Sequence, residues 1–191
     1  NTLAQEIREG ILNRVNKIGG HCSPNLGIVE ATIALHYVFN SPVDRFIFDV
    51  SHQCYTHKML TGRKSGFIGD IIKNISGFFN PSESEHDPFV LGHTSTSLSL
   101  ASGVAKARDI NGDNYNVIAL IGDGSLSGGE AFEGLNNAAT LNSNFIIIVN
   151  DNEMSISENQ GGLYKNLKEL RESNGTSSNN FFKTFGYDYH Y

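Results

Sequence analysis

Val117-Ile118-Ala119-Leu120-Ile121-Gly122-Asp123-Gly124-Ser125 is the stretch from which the rest of this chain is read. An unbroken apolar run leads straight into a Gly-Asp-Gly turn. Strands buried on both faces read as continuous apolar runs rather than as alternation. Two more runs of this kind, Phe46 to Val50 and Phe145 to Val149, lie on either side in the sequence. Helical patterns fill the intervals. Leu26 to Phe39 places Leu26, Val29, Ile33 and Tyr37 on one stripe, with Ser23 and Pro24 as cap and first turn. Leu98 to Arg108 is rich in Ala and Ser, as suits a helix packed close to a sheet, and Gly129 to Leu141 reads the same way. Strands alternating with helices predict an α/β fold, a three-layer domain around a mainly parallel sheet.

The 191 residues are enough for one domain with a sizeable core. Fourteen basic against 20 acidic residues leave a net charge of −6. That argues against a nucleic-acid partner, which is gripped by basic patches. No apolar run approaches the roughly 20 residues that span a bilayer, so no membrane partner is expected. No basic-then-apolar leader opens the sequence. Two cysteines, Cys22 and Cys54, are too few for a disulfide scaffold and point to a reduced, cytoplasmic setting. Asn1 in place of Met, and an end in the strand-like run Phe185 to Tyr191, read as a piece of something longer. Within the domain spanning 1–191, the polar, Gly-rich stretch from Gly62 to Pro88 reads as a surface excursion, with 64–88 as its body. Ser173 to Asn180 reads as a flexible or exposed loop after a short helix at Leu163 to Glu172.

The chemistry concentrates where the strands end. Gly122-Asp123-Gly124-Ser125 follows one predicted strand and Asn150-Asp151-Asn152 follows the next. Open parallel sheets bind ligands at the carboxyl ends of their strands, so the two motifs converge there. Asp123 offers a hard carboxylate and Asn152 a hard amide oxygen, which suit Mg²⁺ or Ca²⁺ with phosphate oxygens completing the shell. Glycines beside Asp123 admit a phosphate close to the backbone. Gly128 and Gly129 open a helix whose N-terminus favours an anion. The inference is a metal-bridged diphosphate. Two blander readings compete. One is a dinucleotide-binding turn, against which a carboxylate inside the turn counts, since it repels a pyrophosphate unless a metal intervenes. The other has Asp123 and Asn152 merely capping turns. A zinc site from His21, Cys22, His52 and Cys54 lacks the usual ligand spacing, and the cysteines read better as small buried hydrophobes. His21, His52 and His93 lie in Gly- or Ser-flanked loops at element ends, where a group titrating near neutrality suits proton transfer. His36, His86 and His190 read as ordinary surface or satisfied groups. Lys58 and Arg63 suit either a substrate phosphate or plain solvation. Glu30 is left open between a satisfied polar residue and a support for the site.

Taken together, the paired motif resembles the thiamine-diphosphate fingerprint of transketolase-type enzymes. Further stretches make the resemblance more specific: Gly20 to Gly27 (GHCSPNLG), Asp49 to Arg63 (DVSHQCYTHKMLTGR), Ser82 to Asp87 (SESEHD), Gly92 to Ser97 (GHTSTS) and Asn152 to Ser157 (NEMSIS). From about residue 3 to about 163, in order, they resemble the 1-deoxy-D-xylulose-5-phosphate synthase family. The resemblance implies Mg²⁺ held by Asp123, Asn152 and the backbone carbonyl of Met154. It implies Gly124 and Ser125 at the diphosphate, and Gly92, His93 and Thr94 in the cofactor cradle. His52 would contact thiamine diphosphate and His21 would handle substrate protons, making these two the catalytic candidates. The implied reaction joins decarboxylated pyruvate to glyceraldehyde 3-phosphate, in isoprenoid precursor supply. The implied assembly is a homodimer, with a pyrimidine-binding domain in the same chain or a partner. Ser51 stands where the family usually has Gly, Thr94 where Ser is usual, and the stretch after Ser157 is short. Those departures leave room for another transketolase-type enzyme with different substrates, or for a diphosphate- or nucleotide-binding module without catalysis.

Overall fold

A computed structural model describes residues 2–69, 72–153 and 158–191. Strands β1 (Arg45–Phe48), β2 (Val117–Gly122) and β3 (Phe145–Asn150) form a parallel sheet in the order β1-β2-β3. They coincide with the three apolar runs. β1 stops at Phe48, and Val50 and Ser51 then take φ values of 59° and 68°, which turn the chain out of the sheet. The pairing sets Phe48 beside Leu120 and Gly122 beside Asn150, so the three strands finish at one edge.

Side-chain alternation along β2 explains the layers. Ile118 and Leu120 join Phe46 and Phe48 in one core. Helices α1 (Thr2–Ile18), α2 (Ser23–Leu26), α3 (Val29–Val38) and α4 (Tyr55–Lys58) lie on this side and contribute Ile7, Ile11, Val29 and Tyr55. Val117, Ala119 and Ile121 join Ile47 in the second core. That face is covered by α5 (Ser97–Asn111), α6 (Asp123–Leu126), α7 (Gly129–Ala138), α8 (Gly162–Glu172) and α9 (Phe181–Thr184). The expected three-layer α/β domain is therefore present. α5 and α7 touch closely at Gly134, where a Cβ would lie 2.8 Å from Leu98 Cβ.

Three local expectations change. The helix read over Leu26 to Phe39 divides into α2 and α3, and Tyr37 is 91% exposed because α3 ends against the first core through Val29 and Leu35. Pro24 sits in the first turn of α2 as expected, but Ser23 does not cap it; Cys22 occupies that position without a side-chain bond. The run Phe185 to Tyr191 forms no strand. Its aromatic rings pack instead, Tyr189 stacking on Phe182 at 5.6 Å, and Tyr187 to Tyr191 line a cavity of about 720 Å³ along the outer edge of β3. The 173–180 loop alternates between exposed and half-buried residues, and Asn180, buried at its end, caps α9 through a bond from Lys183 N.

The 64–88 excursion is irregular in backbone yet anchored inside. Phe67 and Phe79 are fully buried in the first core. Asp87, also buried, accepts two bonds from Arg63, at 2.5 and 2.8 Å, and one from Asn80 N. His57 Nε2 lies 3.2 Å from the same carboxylate, and Lys58, fully buried, reaches Glu83 at 2.7 Å. Neither Lys58 nor Arg63 is a solvated cation.

Burial alone would raise the Asp87 pKa; the bonds from His57 and Arg63 outweigh it and hold the carboxyl well below its usual range. A depressed folded-state pKa stabilises above the unfolded value of about 3.9 and is lost as pH falls below it. Asp87→Ala should cost on the order of 3–5 kcal/mol at pH 7, since it leaves the buried Arg63 without its main carboxylate partner. By scanning calorimetry across pH 3–7, Asp87→Asn should start less stable than the parent and lose less on acidification.

Candidate functional site

Two neighbouring strand ends carry the acidic motifs. Asp123 begins α6 directly after β2 and is 2% exposed. Burial, reinforced by the Asp151 carboxylate, pushes its pKa up to about 6. Asn159 donates to Asp123 Oδ2 at 2.8 Å, and the Tyr164 hydroxyl reaches the Asp123 and Gly124 carbonyls at 3.3 and 3.4 Å. Asp151 pairs with Arg171 of α8, which also meets Glu153 at 3.1 Å. The carboxylate of Asp151 is thus matched by a cation from the protein, while the direct side-chain partner of Asp123 is a neutral amide. Asn152 is exposed at the end of β3, next to this pair in sequence. Met154 lies outside the described residues.

The second part of the site descends from β1. His52 and His21 stand with ring centroids 5.1 Å apart, edge to face, and Phe78 lies 5.5 Å from His21 on another side. Asn25 holds the two loops together: its Nδ2 donates to the carbonyls of His21 at 2.6 Å and His52 at 2.8 Å, and its Oδ1 accepts from Tyr55 N. Gly20, at φ 133°, leaves no room for a Cβ, which would meet the Tyr55 hydroxyl at 2.4 Å. Burial and the neighbouring His21 lower the His52 pKa, so the ring is neutral at pH 7. Among the described residues its buried Nδ1 has no hydrogen-bond partner. Gly92, His93 and Thr94 form an exposed loop ahead of α5, with His93 Nδ1 2.7 Å from the Thr94 carbonyl.

These two parts are joined through backbone. Asp49, the residue after β1, accepts from Ser95 N and Ser97 N, and Ser95 Oγ donates to the Ser125 carbonyl at 2.7 Å. The structure thereby links Gly92 to Thr94, Ser125 and the β1 end carrying His52 into one region, with His21 against His52. Ser51 takes φ 68°, and its hydroxyl accepts from Phe79 N. Among the described residues no group of three or more His, Cys, Asp and Glu side chains could hold a metal. Cys54 is buried, its thiol pushed up to about 12, and Cys22 is free and half-buried. Neither cysteine supports zinc. Glu30 is exposed and pairs with Arg8 at 2.6 Å. Asn25, Asp49, Arg171 and Tyr164 escape sequence reasoning, because each acts on a partner far along the chain.

A family model described as 1-deoxy-D-xylulose-5-phosphate synthase matches residues 1–184. This chain belongs to the 1-deoxy-D-xylulose-5-phosphate synthase family. It is 56% identical over 172 residues to the synthase of Caldanaerobacter subterraneus subsp. tengcongensis, covering 88% of this chain and 27% of that protein. To the synthase of Desulforudis audaxviator it is 55% identical over 170 residues, with the same coverage. The chain spans about a quarter of the length of these synthases. A transketolase mutant from Pichia stipitis shares the fold at a TM-score of 0.69 and 17% identity, over 97% of this chain and 30% of that one.

The residues present fit the thiamine diphosphate and divalent cation that the synthase family implies. A buried carboxylate held up near pH 6 favours a cation, and a buried imidazole nitrogen awaits a partner. Over Gly92, Gly122 and Gly129 a Cβ would meet nothing within 4 Å, which leaves room for a bulky ligand against the backbone. One consequence is measurable without ligand. A raised folded-state pKa stabilises below the unfolded value of about 3.9 and turns into a cost as pH rises through about 6. In the absence of divalent cation, Asp123→Asn should therefore stabilise the protein at pH 7, by about 1 kcal/mol after allowance for solvent screening, and the gain should vanish at pH 4. Melting temperatures at the two pH values check this.

Proposed function

We propose that this chain supplies the diphosphate-binding part of a 1-deoxy-D-xylulose-5-phosphate synthase. The enzyme joins pyruvate, with loss of CO₂, to glyceraldehyde 3-phosphate, using thiamine diphosphate and Mg²⁺. The observation that carries the reading is the buried carboxylate of Asp123, one residue past Gly122, which pairs with Asn150 at the start of the Asn-Asp-Asn motif, in a chain 56% identical to a synthase.

In this reading Asp123 and Asn152 hold Mg²⁺ with the Met154 carbonyl, and the metal offsets the diphosphate's charge in an acidic protein. Gly124 and Ser125 meet the diphosphate at the start of α6, while Gly92, His93 and Thr94 close the cradle from the α5 side. Bound thiamine diphosphate supplies the carbon nucleophile and electron sink that pyruvate decarboxylation needs. His52, neutral at pH 7, offers its unpartnered Nδ1 to the cofactor. His21, exposed and braced by Asn25, gives and takes protons at the substrate oxygen. The glutamate that activates the aminopyrimidine and a further histidine belong to regions of the synthase beyond this span. A pyrimidine-binding domain in the same chain or a partner, within a homodimer, therefore completes the site. The two cysteines are free, in keeping with a reducing cytoplasm, and no described helix is long and apolar enough to cross a membrane.

Two measurements on the full-length protein test this. Thiamine diphosphate with Mg²⁺ at a hundred times its dissociation constant should raise stability by about 2.7 kcal/mol, because it binds only the folded state. The gain should disappear in Asp123→Asn, and an unshifted parent would refute the cofactor assignment. His21→Ala should lower pyruvate and glyceraldehyde 3-phosphate turnover roughly 10²–10⁴-fold, the range for a lost acid–base group, with cofactor affinity changed less than threefold. Equal losses in both would remove His21 from its role.

A further inference from the structure

Ser95 sits at the crossing of three separate parts of the site. Its φ is 73°, a left-handed conformation that a serine adopts only when its surroundings impose it. Asp49 imposes it from β1. That carboxylate is 1% exposed, and each of its oxygens accepts one backbone N–H at 2.9 Å, Oδ2 from Ser95 and Oδ1 from Ser97. The Asp49 carbonyl is itself bonded to Gln53 Nε2 and Ser51 N, so the anchor is rigid. From the opposite side the Ser95 hydroxyl donates to the Ser125 carbonyl at 2.7 Å, the same oxygen that accepts Gly128 N at 3.1 Å. A Cβ at Gly128 would fall 1.9 Å from Ser95 Oγ and 2.6 Å from its Cβ. Gly129 next door has nothing within 4 Å of that position. The space a side chain at 128 would fill is already taken by Ser95.

We infer that Asp49 and Ser95 are positioning residues: they latch the loop of Gly92, His93 and Thr94 to the Gly122–Gly128 turn and so set the width of the cofactor grip. The inference rests on the cofactor reading above, but adds two residues and a reason for a third. Position 128 is glycine because Ser95 occupies its side-chain space, in addition to any approach of a phosphate. Asp49 bears a formal charge at the start of α5 and is satisfied by amides there. The α5 N-terminus is therefore already occupied, and the diphosphate is left to Gly124 and Ser125 after β2.

The test uses the full-length protein and calorimetric titration with thiamine diphosphate and Mg²⁺, alongside melting and hydrogen exchange of the cofactor-free form. Ser95→Gly keeps the left-handed backbone and deletes the hydroxyl. It should weaken binding about tenfold while kcat at saturating cofactor stays within twofold. Gly128→Ala should weaken binding at least as much. The double variant should bind no worse than Ser95→Gly alone, because the clashing group is gone. In the cofactor-free protein the Ser95 and Ser97 amides should exchange slowly, and about tenfold faster in Asp49→Asn, which turns an amine toward one of the two N–H groups. A Ser95→Gly variant that binds within twofold of the parent overturns the latch. So do additive losses in the double variant, or losses of affinity that merely track a fall in cofactor-free melting temperature. A parent that binds no thiamine diphosphate overturns the cofactor reading instead; slow exchange at Ser95 and Ser97, and mutual relief of positions 95 and 128 in cofactor-free melting, then still report on the latch itself.

Discussion

The register of three parallel strands is the constraint on which the rest of the structure depends. Phe48 pairs with Leu120 and Gly122 with Asn150, so the residues that leave each strand leave at one edge. A parallel strand cannot turn directly into its neighbour; the chain must cross back along a face before re-entering the sheet. Each strand therefore sends its next residues outward at the carboxyl edge. Asp49, Asp123 and Asp151 are the residues at or just past those exits, and they bring three carboxylates toward one region. Such crowding is stable only where each charge has its own answer. Asp49 is answered by two backbone amides and Asp151 by Arg171. Asp123 has the Asn159 amide and a pKa pushed up to about 6. The three solutions differ: among the described residues the side chain facing Asp123 is a neutral amide, where Asp49 has two backbone N–H groups and Asp151 a guanidinium.

A second constraint governs the side of the site built from loops. Between Met59 and Thr96 the chain has no strand and only short helical turns among the described residues, yet it carries the loop at Gly92 to Thr94. Buried backbone without regular pairing needs other partners. Here the partners are ionic. The Asp87 carboxylate collects Arg63, His57 and the Asn80 amide, and Lys58 joins through Glu83. Replacing such a cluster with apolar side chains is often neutral for stability, so its contribution lies in specifying one arrangement of a long irregular segment. His36 extends the cluster, 2.9 Å from His57, with its pKa lowered to about 4 by burial and by the neighbouring histidines. Both rings are therefore neutral at pH 7, and the fixed charges are those of Asp87, Glu83, Arg63 and Lys58.

What was legible in the sequence follows from the range of the interactions involved. β1, β2 and β3 show as continuous apolar runs because both faces of the sheet are covered, a property of the strand alone. The positions of Asp123 and Asn152 just past β2 and β3 show because they follow from where the apolar runs end. Lys58 could not be read in this way. A lysine facing solvent and a lysine buried on a glutamate 25 positions away look alike in sequence. Asp49 shows no role in the sequence, because its partners are amides 46 and 48 positions on. The final aromatic run misleads for a related reason. Alternating Tyr residues fit a strand, but here the rings fill space beside β3 and against Phe182.

The glycines sharpen the same point. A glycine beside a phosphate motif invites the explanation that the ligand needs the room. Gly129 and Gly122 are consistent with that, since nothing of the protein occupies their missing side-chain positions. Gly128 is not, because Ser95 already stands there, and Gly20 likewise yields its space to the Tyr55 hydroxyl. Two glycines in similar settings thus differ, one leaving open space over the backbone and one admitting another loop of the protein. Telling them apart requires the third dimension, because the loop that fills the space at 128 starts more than thirty residues earlier and is held there by a carboxylate on another strand.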